Sequence, residues 1–324
     1  MRPRFRVIAF ALLAVFALPL CHAEAQDWPT RPVTLVVPFP AGGNADVLAR
    51  ALAAELSEKL GQQFIVDNRT GAGGNIGGAA VAKAAPDGYT LLFGTPGPIA
   101  TNKLMYKSLP YDPEKDLTPV VLVAKSPLII VAHPSFPAKD LKELIAHAKA
   151  NPGKVNAGNP GNGTLGHITS ELLQQHTGTK MTHVPYRGTT PLTTDLLGGQ
   201  IDIALDFMST YIPLARDGKV RALGVTSSTR VAELPEVMTV QEAGFAGFEA
   251  SAWYAIVAPT GTPADAIRKI NAVTNDYLKS PKGKAQLAIF AMQAAGGTPD
   301  DLASYIKSEL AKWGPIVKAA NISM

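Results

Sequence analysis

The fold is decided by residues 33–46, Val33-Thr-Leu-Val-Val-Pro-Phe-Pro-Ala-Gly-Gly-Asn-Ala-Asp46. The first five residues are β-branched or apolar, which predicts a buried strand. The glycines predict a turn, and Leu48, Leu52 and Leu56 then recur at helical spacing until Gly61. A buried strand, a glycine turn and an amphipathic helix together indicate a βα unit.

The same alternation continues along the chain. Further strands are predicted at 64–67, 89–93, 128–132, 154–156, 181–185, 201–205, 221–226 and 253–258, and helices at 79–84, 138–150, 165–176, 192–197, 263–278 and 300–320. This order predicts an α/β protein with mostly parallel sheets and helices on both faces. It divides into two lobes, with residues 26–126 and 253–324 in lobe 1 and residues 127–252 in lobe 2. The C-terminal helices are expected to pack on lobe 1.

Composition narrows the class of protein. Of 324 residues, 46% are hydrophobic and 17% are charged, which excludes a disordered or collagen-like chain. The length suits about two compact units. The formal net charge is +4, and no cluster of Lys and Arg with interleaved aromatic residues occurs, so nucleic-acid binding is not expected.

The N-terminal segment resembles an export signal. Arg2, Arg4 and Arg6 precede an apolar run over 7–20, and Ala23-Glu-Ala25 follows. This order predicts a signal peptide over 1–25, cut near Ala25, and a mature protein in the periplasm. The alternative is a membrane anchor, although the run is shorter than the ~20 residues needed to span a bilayer.

Removal of this segment changes what chemistry the protein can perform. The segment holds three arginines and Glu24, so cleavage lowers the formal net charge from +4 to +2. It also holds Cys21, the single cysteine of the sequence. The mature chain is therefore expected to have no disulfide, catalytic thiol or cysteine-ligated zinc.

The first glycine turn is a candidate ligand site. It lies between the carboxyl end of a strand and the amino end of a helix, where α/β proteins bind ligands and where backbone N–H groups attract anions. Asn44 is expected to cap the helix, and Asp46 suits its first turn, although pairing with Arg50 is an equally simple role for Asp46. The candidate residues of this turn are Phe39, Ala41, Gly42, Gly43, Asn44 and Asp46.

A second candidate turn precedes the helix at 165–176. Residues 161–166 match G-x-G-x-x-G, but a dinucleotide site needs an acidic residue ~20 positions later, where this chain has Tyr186. We therefore interpret the turn as an anion-binding helix start, or simply as a helix cap without a ligand. Its candidate residues are Asn159, Gly163, Thr164 and His167.

Four further candidates lie at or just beyond strand ends: Thr95, Arg187, Asp206 and Ser209. The guanidinium of Arg187 can form two hydrogen bonds with a carboxylate, although a surface position is the common fate of an arginine. No histidine pair has the spacing of a zinc-binding helix, and no G-x-S-x-G motif occurs. The sequence therefore predicts no metal, no cofactor and no enzymatic activity.

Longer motifs are spread over almost the whole mature chain. They include Trp28-Pro-x-Arg-Pro-Val33, Val37-Pro-Phe-x-x-Gly-Gly-x-x-Asp46, Asn68-Arg-x-Gly-Ala-Gly-Gly-Asn-Ile-Gly77, Pro86-Asp-Gly-Tyr-Thr90, Tyr111-Asp-Pro113, His183-Val-Pro-Tyr-Arg-Gly188, Asp195-Leu-x-Gly-Gly-Gln-Ile-Asp202, Gly218-Lys-Val-Arg-Ala-Leu-Gly224 and Ala258-Pro-x-Gly-Thr-Pro263. In this order they resemble the Bug receptors of tripartite tricarboxylate transporters. The departure is Phe39-Pro-Ala-Gly42, where the family more often has Ala-Pro before the glycines.

The resemblance implies a monomeric periplasmic binding protein of the type II-like, two-lobed kind, with its ligand cleft between the lobes. It implies a small carboxylate ligand, which lobe closure captures for the membrane components of a tripartite tricarboxylate transporter. We expect a dicarboxylate, with an aromatic acid such as terephthalate as one candidate, because Phe39, Tyr186 and Phe207 are available as an apolar wall. The alternatives are a periplasmic sensor that serves a signalling partner without transport, and a dehydrogenase that uses the glycine loop.

Overall fold

The computed structural model describes residues 27–162, 164–319 and 322–323. The signal-peptide prediction and Gly163 lie outside them. The strands are β1 (Val33–Val37), β2 (Phe64–Asn68), β3 (Thr90–Gly94), β4 (Leu117–Ala132), β5 (Asn156–Asn159), β6 (Thr182–Pro185), β7 (Ile203–Phe207), β8 (Arg221–Val225), β9 (Ser251–Pro259) and β10 (Gln293–Ala294). The α/β class predicted from the sequence is confirmed.

The α-helices are α1 (Asn44–Leu60), α2 (Asn75–Ala82), α3 (Asn102–Met105), α4 (Pro113–Asp116), α5 (Leu141–Ala150), α6 (Leu165–Thr177), α7 (Thr189–Leu197), α8 (Met208–Arg216), α9 (Ala264–Lys279), α10 (Pro281–Ala288) and α11 (Pro299–Ala319). Short helical turns over Ala72–Gly74 and Gly97–Thr101 precede α2 and α3. Helix α1 ends as predicted at Gly61, whose φ of 72° is the left-handed conformation that glycine adopts most easily.

The strands form one continuous sheet in the order β2-β1-β3-β9-β4-β7-β5-β6, and β8 and β10 also pair with β4. Strand β1 is parallel to β2 and β3, and β5 is parallel to β6 and β7. The pairings of β4 and β9 are all antiparallel. The expectation of mostly parallel sheets is therefore corrected to a mixed sheet, because these two long strands run through its middle.

Strand β4 is much longer than the predicted strand at 128–132. Its first part, Leu117–Pro127, pairs with β9, and its second part, Leu128–Ala132, pairs with β7 and β8. The same strand thus passes from the parallel group around β1 to the parallel group around β5. This passage lies at the boundary that the sequence predicts between the lobes, and the lobe division itself stays a prediction.

Buried side chains form separate cores on the two parts of the sheet. Leu48 and Leu52 of α1 pack with β1 and with Ile270 of α9, whereas Leu141 of α5 and Leu172 of α6 pack around β5. Helix α9 therefore covers the first part, as predicted for the C-terminal helices.

Helix α11 departs from that prediction because it contributes to both parts. Its residue Leu302 packs with Trp253 on the first part. Its other end, with Trp313 and Ile316, packs with Phe248 on the second part. Helix α11 therefore connects the two parts of the sheet.

Candidate functional site

A cavity of about 690 Å³ lies at the carboxyl ends of strands from both parts of the sheet. Its walls are the segments that follow β1, β2, β3, β5 and β6 and the last residue of β7, together with residues of α3, α6, β9 and α11. The lining residues are Phe39, Pro40, Gly43, Asn44, Ala45, Gly73, Thr95, Pro96, Gly97, Thr101, Asn102, Met105, Tyr106, Pro160, Asn162, Thr164, Leu165, Gly166, Ile168, Gly188, Thr189, Phe207, Ala252, Tyr254 and Trp313. This is where open α/β sheets place their ligands.

None of the described residues that line the cavity has a charged side chain. Helices α1, α6 and α7 instead begin at it, at Gly43, Thr164 and Gly188. The first N–H groups of a helix have no partner within the helix and carry a partial positive charge. Such groups favour an anion, and the aromatic and aliphatic side chains of the cavity suit an apolar ligand body.

The helix starts differ in how they are capped. Thr164 caps α6 as predicted, with its Oγ1 accepting a hydrogen bond from the amide of His167 at 3.4 Å. Neither Gly43 nor Gly188 makes a side-chain capping bond. The capping residues of α1 and α7 thus provide no side-chain acceptor for the first amide groups of these helices, which suits those groups to an anion.

The cavity brings together five of the residues predicted from the sequence: Phe39, Gly43, Asn44, Thr95 and Thr164. The predicted residues Ala41, Gly42, Asp46, Asn159, His167, Arg187, Asp206 and Ser209 are not among those that line it. Their positions show what they do in this structure.

Asp46 is buried and is fully engaged within the protein. Its Oδ2 accepts hydrogen bonds from the amide of Gly42 at 2.9 Å and from Arg50 Nε at 3.0 Å, and its Oδ1 accepts one from Asn68 Nδ2 at 2.9 Å. Burial opposes ionisation of Asp46, but these hydrogen bonds outweigh it and hold the pKa below its ordinary value. Asp46 thus has the structural role that the sequence left open, which is pairing with Arg50 and anchoring the loop.

Asn44 does not cap α1 as expected, because Gly43 occupies the capping position. The Asn44 side chain instead hydrogen-bonds with Tyr254, and both residues line the cavity. Burial raises the pKa of Tyr254 to about 12, although the bond with Asn44 opposes this change. The Tyr254 phenol therefore stays protonated and offers a neutral donor.

Asn159 and Asp206 lie behind the cavity wall and are fully buried. Asn159 Oδ1 accepts from the amide of Gly161 at 3.0 Å, which holds the loop before α6. Asp206 Oδ1 accepts from the amide of Phe207 at 2.8 Å, and Thr189 also hydrogen-bonds with Asp206. Burial raises the pKa of Asp206, and these two hydrogen bonds partly offset the change.

Arg187 is exposed, and the two residues after it, Gly188 and Thr189, line the cavity in its place. Ser209 lies in the first turn of α8 and is half-buried.

His167 faces the neighbouring His183, whose ring centroid is 5.1 Å away. Burial first, and the nearby His183 second, lower the pKa of His167, whereas Glu171 opposes this change.

Several lining residues were missed by the sequence analysis. The sequence contained a pattern that could have identified Gly188 as a site residue, because it follows a predicted strand as Gly43 does. No local pattern identifies Trp313, because α11 brings it to the cavity from the far end of the chain.

Asn102 holds the glycine turn in place. Its Nδ2 donates hydrogen bonds to the carbonyl of Gly73 at 3.0 Å and to Asn75 Oδ1 at 2.6 Å.

Comparison with protein families identifies the chain. The family model described as the tripartite tricarboxylate transporter family receptor matches residues 48–322. The chain belongs to this receptor family. The resemblance to Bug receptors is thereby confirmed, and the solved structures that match include the periplasmic binding protein BugD.

Curated relatives of this receptor family align over nearly the whole chain. Protein BugT of Bordetella pertussis is 39% identical over 317 residues, covering 95% of this chain and 96% of BugT. A protein from the tcbD-tcbE intergenic region of Pseudomonas is 38% identical over 315 residues, which cover 97% of this chain and 94% of that protein.

Solved structures of family receptors have the same fold. A Rhodopseudomonas palustris protein with adipate is 40% identical, with a TM-score of 0.78 over 92% of this chain and 99% of that one. MatC of Rhodopseudomonas palustris, with bound malate, is 34% identical, with a TM-score of 0.72 over 89% of this chain and 99% of MatC. The predicted solute-binding fold is confirmed. Among the described residues, no helix combines the length and the apolar character needed to cross a membrane.

Proposed function

We propose that the protein is a periplasmic receptor that binds a small dicarboxylate and delivers it to the membrane components of a tripartite tricarboxylate transporter. The observation that carries this proposal is the cavity without charged lining side chains at which α1, α6 and α7 begin. Family membership and the family structures with adipate and malate support it.

The arrangement of the helix starts favours two carboxylates over one. Gly43 precedes α1 on the part of the sheet around β1, whereas Gly188 precedes α7 on the part around β5. Each helix start stabilises a negative charge by about 0.3–1 kcal/mol, and by up to ~2 kcal/mol where it is partly buried. A ligand with a carboxylate at each end engages both parts of the sheet at once.

The space between these helix starts is suited to an apolar spacer. Phe39 and Phe207 line it, as the sequence suggested, together with Leu165 and Ile168. Tyr186 is directed elsewhere, since its hydroxyl donates to Asp195 Oδ2 at 2.8 Å. We therefore expect a dicarboxylate with an aliphatic chain or an aromatic ring between its acid groups, such as adipate or terephthalate.

The capture mechanism follows from the predicted division into lobes at residues 126 and 253. The chain passes between the lobes in β4 and at the start of β9, so rotation of one lobe against the other changes the width of the cavity. A ligand held by both lobes stabilises the closed state by its difference in affinity for the two states. The transporter then recognises the closed receptor, and no covalent step is required.

Calorimetric titration of the mature protein, residues 26–324, tests the ligand class. The panel contains adipate, malate and terephthalate, with hexanoate and adipamide as matched compounds that lack one or both charges. We expect the diacids to bind at least tenfold more tightly than hexanoate, and adipamide not to bind. Binding of adipamide as tight as that of adipate would refute the carboxylate proposal.

Two further experiments test location and partner. The intact mass of protein recovered from the periplasm is expected to match cleavage near Ala25. Cross-linking in the presence of the best ligand is expected to capture the membrane components of the transporter. Capture of a membrane-bound signalling protein in their place would support the sensor alternative and overturn the transport role.

A further inference from the structure

A compact cluster of His167, Glu171 and His183 lies outside the cavity, on the face where α6 meets β6. His167 and Glu171 are four residues apart on α6 and share one face of the helix. Glu171 Oε1 is 2.6 Å from His183 Nε2 and 3.9 Å from His167 Nε2. All three ligand atoms lie within 4.8 Å of one another, and each residue is partly exposed.

The hydrogen bonds around His183 conflict with one another. Its Nε2 is 2.8 Å from the amide nitrogen of Gln174, and the amide of Met181 donates to Gln174 Oε1 at 2.6 Å. The backbone donor thus fixes the orientation of the Gln174 amide, so its NH₂ group points at His183 Nε2 and needs a lone pair there. Glu171 at 2.6 Å needs a proton on the same atom.

Neither neutral tautomer of His183 satisfies both neighbours. A proton on Nε2 opposes the NH₂ group of Gln174, and a lone pair on Nε2 opposes the Glu171 carboxylate. The other ring nitrogen, Nδ1, is buried and has no hydrogen-bond partner in the described part of the chain, so it fixes neither tautomer. A cation between His183 Nε2 and Glu171 resolves the unfavourable contact of this pair, because the lone pair and the carboxylate both face positive charge. The NH₂ group of Gln174 then needs another acceptor.

We propose that His167, Glu171 and His183 form a binding site for a divalent transition metal of the zinc class. Two imidazole nitrogens and one carboxylate oxygen are a recognised ligand set for zinc, and a fourth position is left for water or another ligand. Zinc ligand atoms lie 2.0–2.1 Å from the metal, hence about 3.3 Å apart in a tetrahedron. The observed 2.6 and 3.9 Å separations lie on either side of this value.

The donor set also defines which ions are excluded. Imidazole suits zinc, cobalt, nickel and copper, whereas magnesium and calcium prefer oxygen ligands. A single carboxylate beside two imidazoles therefore favours the transition metals. The spacing of His167 and His183 does not match a metal-binding motif within one helix. The second histidine comes from the neighbouring strand and not from the helix, so the sequence contained no indication of the site.

A metal at this position ties the first turns of α6 to β6. The residues on either side of His167, Gly166 and Ile168, line the cavity. Metal binding is therefore expected to stabilise the fold by fixing this wall, whatever ligand the cavity takes. The inference stands independently of the proposed function, because its test needs no carboxylate.

The experiment is titration of tag-free, chelator-treated mature protein with Zn²⁺, Co²⁺ and Mg²⁺. We expect one Zn²⁺ per chain, a raised melting temperature with Zn²⁺, visible absorption bands of tetrahedral Co²⁺, and no response to Mg²⁺. His183→Gln and Glu171→Gln each remove one ligand and are expected to weaken Zn²⁺ binding at least tenfold and to abolish the Co²⁺ bands.

The matched control is His176→Gln, which changes an exposed histidine on the same helix outside the cluster. It is expected to bind Zn²⁺ like the parent. Melting curves without metal establish that each variant is folded. The proposal is overturned if the parent binds no Zn²⁺, or if a folded His183→Gln variant binds Zn²⁺ as tightly as the His176→Gln control.

Discussion

Asp46 Oδ2 accepts a hydrogen bond from the amide of Gly42 at 2.9 Å, so a carboxylate in the first turn of α1 holds the loop that precedes its own helix. Asn68 Nδ2 joins the two ends of this loop, because it donates to Asp46 Oδ1 at 2.9 Å and to the carbonyl of Phe39 at 3.0 Å. Phe39 and Gly43 line the cavity. We therefore expect Asp46 to affect ligand binding indirectly, by positioning this loop.

Asp46→Asn is expected to destabilise the protein and to weaken ligand binding. The new amide keeps one oxygen, but its NH₂ group stands where either Asn68 or both Gly42 and Arg50 donate. Loss of one charge-assisted hydrogen bond lowers the free energy of unfolding by about 1.5–3 kcal/mol. Urea denaturation measures this change. Asp67→Asn is the control, because Asp67 pairs with Arg69 at an exposed site, where an ion pair contributes about 0–1 kcal/mol.

The contribution of Asp46 is also expected to depend on pH. Its pKa is below the ordinary 3.8 in the folded protein, so its stabilisation is fully present above about pH 4 and is lost as the pH falls through the folded-state pKa. The stability difference between the parent and Asp46→Asn should therefore shrink on acidification. Urea titrations from pH 6 to pH 3 measure it, and a difference that stays constant over this range would contradict the assignment.

The sequence correctly predicted the structural features that depend on residues close together in the chain. The βα units and the helix starts at Gly43 and Thr164 follow from short apolar runs, glycines and capping residues. The first part of β4 was missed because Pro119 and Pro127 interrupt its apolar pattern. Its continuity depends on pairing with β9, which lies more than a hundred residues later.

The residues that line the cavity were predicted less completely, because several of them come together through contacts between elements that are distant in the sequence. Trp313 reaches the cavity through the packing of α11, and the conflict at His183 arises from contacts between α6 and β6. Sequence spacing carries no signal for contacts made between elements in this way. Side-chain direction was also undetermined, since Arg187 and Gly188 are adjacent but only Gly188 lines the cavity.

Gly43→Ala is expected to weaken carboxylate binding without destabilising the fold. Gly43 has φ −75° and ψ 166°, which alanine adopts freely, and an added Cβ would contact only the carbonyl of Pro40 at 3.5 Å. The methyl group would, however, stand at the start of α1 inside the cavity. We expect at least about a tenfold loss of affinity, equal to ~1.4 kcal/mol. Calorimetry with adipate and thermal melting decide this, and unchanged affinity would exclude direct approach of the ligand to Gly43.

Glu309→Ala is expected to be strongly destabilising. The buried carboxylate of Glu309 accepts hydrogen bonds from the indole nitrogens of Trp253 at 3.2 Å and Trp313 at 3.0 Å, and it pairs with Lys312. Removing the carboxylate leaves two buried indole N–H groups without an acceptor, at a cost of about 1–3 kcal/mol each. Chemical denaturation measures this, with the exposed Glu58→Ala as control. Equal effects of the two substitutions would show that the Trp253–Glu309–Trp313 contacts contribute little.

The Arg187→Ala variant tests whether Arg187 contacts the ligand, as the sequence suggested, or stays outside the cavity, as in the structure. Arg187 is exposed and does not line the cavity, whereas Gly188 and Thr189 do. The Thr189 side chain lies in the first turn of α7 and also hydrogen-bonds with the buried Asp206. We therefore expect Arg187→Ala to bind adipate within about twofold of the parent, since screened, exposed charges contribute little.

Thr189→Val is the companion variant, because it keeps the shape of the side chain and removes the hydroxyl group. Loss of the hydrogen bond leaves the buried Asp206 with one partner fewer and costs about 1–3 kcal/mol of folding stability. Because Thr189 also lines the cavity at the start of α7, we expect adipate affinity to fall as well, by at least about tenfold. Titration of both variants, beside their melting curves, compares the two positions directly. A tenfold or larger loss in a folded Arg187→Ala variant would instead mean that Arg187 turns into the cavity when the lobes close around the ligand.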